Sequence, residues 1–296
     1  MNTNFLLEAF LHLYFYQIEF ILNNKDNRLE EIKFQSEEAN TDEFLKKYFK
    51  PFMLEYNTIS EINELGIEIN EVSIRNEDSL KTISLKELKS FIIQNVYLPE
   101  ELTEEFKSNI IATKQGVYTN PDLYLEISNG QDVFYKSVEL KSTKTNAIPG
   151  SSVQQILPFE WVIFVKRTDK KVTVATGHYI NSITNKLPFP DRSPRPQVAF
   201  DTMVEWNKKY RKKLNSTLNI EIDIEINKEK EKIFEDWQEV LVNEWINIIE
   251  AKTVKSNEKW FNNTLRKFVL AFLENIEPKS EDEIQNFKIR IQSLIK

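Results

Sequence analysis

Residues 120–141 read Asn-Pro-Asp-Leu-Tyr-Leu-Glu-Ile-Ser-Asn-Gly-Gln-Asp-Val-Phe-Tyr-Lys-Ser-Val-Glu-Leu-Lys. Two apolar-alternating runs flank Asn129-Gly130, the strongest short hairpin signal a sequence offers. With that dipeptide as a two-residue turn, Ser128 faces Gln131, Asp122 faces Ser137, Glu139 faces Asn120 and Lys141 faces Tyr118. Side chains alternate along a strand, so Asp122, Glu139 and Lys141 share one face. The two carboxylates are then expected as diagonal neighbours, roughly 7–8 Å apart at the backbone. Leu123, Leu125, Ile127, Phe134, Val138 and Leu140 fall on the opposite, apolar face.

That grouping suits metal-assisted hydrolysis of a phosphodiester. Asp122 and Glu139 offer the hard oxygen ligands that Mg²⁺ prefers, with room left for water and a substrate phosphate. A bound cation lowers the pKa of a water and stabilises charge on the attacked phosphate. Lys141 has three candidate tasks: holding the water, helping to deprotonate it, or offsetting negative charge in the transition state. An ordinary solvated sheet face is the alternative for the same residues. A slip of one residue in register would turn the carboxylates into the core.

Pro121-Asp122, sixteen intervening residues, and Glu139-Leu140-Lys141 resemble the motif of the PD-(D/E)xK nuclease superfamily, best known for type II restriction endonucleases. The resemblance spans about residues 85–180. It implies an α/β restriction-endonuclease-like core, with a central mixed β-sheet flanked by helices. It also implies Mg²⁺ held by Asp122, Glu139 and the carbonyl of Leu140, with Lys141 serving the water. Gln154 and Gln155 stand where family members often place a polar residue that contacts the site or the DNA backbone; a surface amide pair is the other reading. Glu101, Glu104 or Glu105 could add an acidic ligand, or simply offset a helix dipole. Double-stranded DNA as substrate, a homodimer matched to a palindromic target, and a cognate DNA methyltransferase in the cell are further implications.

Composition narrows the chemistry. The 296 residues contain no cysteine, which removes disulfides, zinc ribbons and thiol catalysis. The only histidines, His12 and His178, are too few for a histidine-rich metal site and are read as structural. Five scattered glycines assemble neither a P-loop nor a dinucleotide fingerprint. Net charge is −7, but residues 136–213 carry fifteen Lys/Arg against six Asp/Glu, a local +9 that leaves −16 elsewhere. A basic middle in an acidic chain is the footprint expected of a phosphate-binding cleft.

Other segments fill in the plan. Ser142, Thr143 and Lys144 extend the strand beyond Lys141 and are candidate phosphate contacts. Residues 181–197 hold Pro188, Pro190, Pro194 and Pro196, a loop stiffened by fixed φ angles. The loop carries Asn185, Lys186, Arg192, Arg195 and Gln197, side chains of the types that read base edges; a plain surface connector is the alternative.

Helices are expected at 3–24, 41–56, 58–65, from Ser84 to about 96, from Pro99 to about 111, at 153–157, 200–214, 228–252, 257–276 and 280–295. Strands are expected at 67–74, 116–128, 131–142, 161–165, 171–176 and 218–226. Three regions follow, which could all belong to one structure: a helical segment 1–84, an α/β core 85–215, and a helical segment 216–296 that either wraps the core or serves dimerisation. The apolar run Phe5–Leu22 contains Glu8, His12, Gln17 and Glu19 and lacks a basic leader, so a buried or interface helix in a cytoplasmic protein is expected, with no membrane partner.

Overall fold

The apolar N-terminal run forms helix α1 (Thr3–Asn24), buried on nearly every side through residues such as Phe10, Leu11, Leu13, Phe15 and Ile18. A helix that is apolar all round belongs in a core. It is long and apolar enough to cross a membrane, yet 67% of its most apolar window is buried inside the protein, which is compatible with a soluble chain.

The computed structural model describes residues 3–26, 28–31, 38–76, 79–108, 122–151, 153, 156–168, 171–184, 195–222, 224–254 and 260–295, except the side chains of 38–42. After α1 come α2 (Glu38–Glu55), β1 (Glu71–Asn76), β2 (Ser79–Ser84), α3 (Leu85–Leu88), β3 (Ile92–Tyr97) and a helix described over 104–108 (α4). Next are β4 (Leu123–Ser128), β5 (Val133–Thr143), β6 (Ala147–Pro149), β7 (Trp161–Arg167), β8 (Val172–His178), β9 (Gln197–Ala199), α5 (Phe200–Tyr210), β10 (Arg211–Leu214) and β11 (Thr217–Glu221). Helices α6 (Glu225–Glu235), α7 (Trp237–Glu250), α8 (Trp260–Ile276) and α9 (Glu281–Leu294) complete the chain.

The class is mixed α/β, with mixed sheets flanked by helices. A five-stranded sheet runs β3-β4-β5-β7-β8, all neighbours antiparallel except the β5–β7 pair. A four-stranded sheet, β10-β11-β1-β2, contains one parallel pair, β1–β11, and β6 pairs with β9. One face of the five-stranded sheet, with Leu123, Leu125, Val138, Leu140, Trp161 and Ile163, packs into the large core that α1 and α2 fill. The other face packs Val162, Phe164 and Ala175 against Met203 of α5, Tyr179 and Val198.

Polar side chains of α1 close the open edge of the five-stranded sheet. Asn23 accepts from the Val174 N–H at 2.9 Å and donates to its carbonyl at 2.8 Å, and Glu19 accepts from the Thr176 N–H at 2.6 Å. Edge strands left bare invite aggregation, so this cover both docks α1 and protects β8.

Several expected elements differ. The capping box at Ser84 and Glu87 forms, with Glu87 accepting from the Ser84 N–H at 3.0 Å, but the helix lasts only to Leu88. The β-branched Ile92, Ile93 and Val96 then pair with β4 as a strand; sheet pairing outweighs the local start signal. Residues 58–65 are turns, the helix after Pro99 begins as a 3-10 turn (Pro99–Glu101), and no helix occurs at the described residues 153, 156 and 157. The expected helix 200–214 stops at Tyr210, and the next four residues pair as β10 with β11. Asp236 interrupts the long helix expected at 228–252.

Two compact units result, Met1–Glu235 and Asp236–Lys296, so the expected segments 1–84 and 85–215 lie in one unit and the division falls after 235. In the second unit α7 packs on α8 and Phe272 contacts Phe287 of α9 at 6.0 Å; no residue of α8 or α9 is buried.

Candidate active site

The β4–β5 hairpin forms with a longer turn than Asn129-Gly130 alone. Leu123 pairs with Val138, Tyr124 with Ser137 and Ser128 with Val133. The turn spans Asn129–Asp132, where Asn129 Oδ1 accepts from the Gln131 and Asp132 N–H groups at 2.9 and 2.7 Å, and Gly130 takes φ +86°. The Asn side chain and the left-handed glycine stabilise this wider loop. The register therefore moves by two residues from the expected one. An even shift preserves faces, and it changes the carboxylates from diagonal neighbours to residues directly across from one another.

Asp122 sits one residue before β4, and its Oδ2 accepts from the Leu140 N–H at 2.8 Å. Glu139 is the residue before Leu140 on β5. Lys141 Nζ lies 2.6 Å from Glu139 Oε1. Ser151 closes a small network: its hydroxyl donates to Glu139 Oε1 at 2.7 Å and accepts from Lys141 at 3.0 Å, while its N–H donates to the Tyr179 hydroxyl at 2.7 Å. From the other side, Lys46 of α2 reaches Asp122 Oδ1 at 2.8 Å.

Burial and the Glu139 charge push the Asp122 carboxyl up to about 6, against the pull of Lys46 and the Leu140 N–H. Two carboxylates sharing a partly desolvated site repel, and each cation beside them relieves that cost. Burial alone would lower the Lys141 ammonium, but the charge and hydrogen bond of Glu139 and the Asp122 charge outweigh it and hold Lys141 above its ordinary value. Burial also lifts the Tyr179 phenol to about 12, so it stays neutral and can accept from Ser151.

Gly150 makes the Ser151 contact possible. A Cβ there would lie 2.3 Å from the Pro196 carbonyl oxygen and 2.4 Å from the Tyr179 hydroxyl. The Gly150 N–H donates to that same carbonyl at 2.8 Å. Only glycine allows β6, the residues before β9 and Tyr179 to meet so closely.

The remaining candidates divide. Leu140 is buried in the large core, its N–H given to Asp122. Ser142 Oγ is buried without a hydrogen-bond partner among the described residues. Thr143 is buried, and its hydroxyl is engaged in a local turn with Thr145. Lys144 and Arg195 are exposed. Gln197 is half-buried, and its Oε1 accepts from the Thr184 hydroxyl at 3.1 Å. Gln154, Gln155, Asn185, Lys186 and Arg192 lie outside the described residues. Of the upstream acids, Glu101 pairs with Lys50 and accepts from the Leu98 N–H, and Glu104 pairs with Lys107.

Lys46, Gly150, Ser151 and Tyr179 are the components that sequence reading misses. Ser151 and Gly150 stand between the strand expected at 131–142 and the helix expected at 153–157, and nothing local to Lys46 or Tyr179 signals a part in the site. No family model, no curated protein and no solved structure matches this chain.

Proposed function

We propose that this protein is a Mg²⁺-dependent, sequence-specific DNA endonuclease of the PD-(D/E)xK type, a type II restriction enzyme that leaves 5′-phosphate ends. One observation carries the reading: Asp122, Glu139 and Lys141 converge at the open end of the β4–β5 hairpin, with Lys141 2.6 Å from Glu139 and Asp122 bonded to the next backbone N–H.

The donor set suits a hard cation. Two carboxylates with a raised Asp122 pKa form a site where a divalent ion relieves repulsion. Asp122, Glu139 and the Leu140 carbonyl would hold Mg²⁺. When bound, it would supply Lewis-acid polarisation of the phosphate and acidify a water.

The chain's own groups do the rest. Lys141 is protonated beside Glu139, so it serves as a hydrogen-bond donor and positive charge, not as a general base. Its ammonium orients the incoming water and offsets charge on the phosphate oxygens as the water oxygen bonds to phosphorus and the phosphorus–3′-oxygen bond breaks, the water giving its proton to solvent and the 3′ oxygen taking one from solvent. Ser151 fixes Lys141 relative to Glu139, and Tyr179 fixes Ser151. Exposed Lys144 and Arg195 are the described candidates for phosphate and base contacts.

A homodimer acting on a palindromic site, a companion methyltransferase and a cytoplasmic location belong to the same proposal. The test is digestion of phage DNA with purified protein and Mg²⁺, followed by sequencing of the ends. Discrete fragments sharing one end sequence and carrying 5′ phosphates are expected. A smear indicates a structure- or end-directed nuclease of the same superfamily, and intact DNA rejects hydrolysis.

A further inference from the structure

The chain's two histidines, remote in sequence, meet at one cavity in the Met1–Glu235 unit. His12 comes from α1 and His178 from the end of β8, with ring centres 5.2 Å apart and planes at 66°. Asn181, Arg211 and Asn227 line the same space, and all five residues are more than nine-tenths buried.

Their hydrogen bonding is incomplete. Among the described residues, His12 Nε2, His178 Nε2, Asn181 Oδ1, Asn227 Oδ1 and Arg211 Nε all lack a partner. Each buried polar group left unsatisfied keeps its full desolvation cost. All five residues line the same cavity, which makes it the place where a bound group could satisfy them. The cavity measures about 20 Å³, counted as room for the centre of a water-sized body. One water needs about 10–15 Å³ on that scale, so an ion with a water fits and a base or sugar does not.

We propose that this cavity binds one divalent transition-metal ion through His12 and His178, with the amide oxygens of Asn181 and Asn227 completing the donor set. Imidazole suits zinc, copper and nickel, whereas the carboxylates at Asp122 suit magnesium, so the two sites choose different ions. A metal about 2.0–2.1 Å from two nitrogens at a tetrahedral angle sets the ring centres roughly 5 Å apart, close to the observed spacing.

Burial holds both imidazoles below their ordinary value, with His178 near 4, so both are neutral at pH 7, the form that ligates. The Arg211 charge is met by Glu19 at 2.6 Å, and Glu221 also lines the cavity. Arg211 Nε–H remains to donate to a water on the ion. Among the described residues no group of three or more His, Asp or Glu side chains could hold a metal ion, so the proposed site depends on the two amides for its remaining donors. The ion would tie α1 to the end of β8 and to α6, adding stability by mass action.

Chelator-treated protein titrated with Zn²⁺ in Mg²⁺-free buffer provides the test, read by calorimetry and by the imidazole NMR resonances of the chain's two histidines. Saturation at one equivalent, movement of both imidazole signals and a raised melting temperature are expected. The Asp122→Asn/Glu139→Gln double variant should bind Zn²⁺ as the wild type does, and His178→Gln should lose at least about tenfold in affinity. Unmoved histidine signals, binding lost in the carboxylate variant, or binding unchanged in His178→Gln would overturn the proposal. Should His178→Gln fail to fold, the wild-type NMR titration alone decides.

Discussion

Lys46 holds Asp122 at 2.8 Å in the position where a cation is expected to act. A Lys–Asp pair of this partly exposed kind contributes little to stability, so its larger effect falls on the site. Lys46→Met should therefore tighten Mn²⁺ binding about two- to fivefold at pH 8, as measured by calorimetry, because a competing charge is removed. Weaker binding would instead make Lys46 a residue that orients Asp122. Lys141 carries a different expectation. Since Glu139 keeps it charged, Lys141→Arg should preserve part of the cleavage rate while Lys141→Gln should lose about a hundredfold or more, as for loss of one preorganised donor. The grouping of Asp122, Glu139 and Lys141 on one face is legible because strand alternation is strict. Lys46 is not legible, since a contact between α2 and the hairpin leaves no local pattern.

Among elements, the β6–β9 pair and the segment joining it to Ser151 set the site's shape. Gly150→Ala would drive a methyl into the Pro196 carbonyl, which is backbone and cannot swing aside. Thermal unfolding should show a loss of about 1–3 kcal/mol, and cleavage should fall as Ser151 moves off Lys141. An unchanged melting temperature and rate would show that the segment yields freely. The same scale explains what the sequence hides. Asn129-Gly130 marks a turn correctly but leaves its length open, because Asn129 can cap a four-residue loop as well as form a tight one. Ser84 and Glu87 mark a helix start but not its extent, which Ile92, Ile93 and Val96 end by pairing with β4. Arg211–Leu214 continues a helical pattern on paper, yet its hydrogen bonds go to β11. In each case long-range pairing decides what local propensity leaves open.

Across the whole molecule, the basic stretch 136–213 is less free than its charge count suggests. Lys136 pairs with Glu8, Arg211 with Glu19 and Lys213 with Glu68, all acids from outside the stretch. The cations left exposed for the proposed DNA contact include Lys144, Lys171, Arg195, Lys208, Lys209 and Lys212. Lys230 of α6 links a buried charge to global stability. Its ammonium donates to the Ile180 carbonyl at 3.3 Å and lies over the Trp206 ring, and among the described residues no carboxylate pairs with it to offset burial, which lowers it to about 8. A depressed folded pKa means that the unfolded chain binds the proton more tightly. Stability from this group therefore rises between pH 8 and 10.5 and is lost as pH falls back through that window. Relative to Lys230→Met, the wild type should gain roughly 2–3 kcal/mol over that window, read by chemical denaturation, and a flat difference would contradict the burial argument. The central claim, that the hairpin's carboxylates drive Mg²⁺-dependent strand cleavage, is tested most directly by single-turnover cleavage of a DNA that the wild type cuts, comparing wild type with Asp122→Asn and checking binding in Ca²⁺. The account predicts retained binding with a rate at least about a hundredfold lower. Cleavage by Asp122→Asn at the wild-type rate would contradict it.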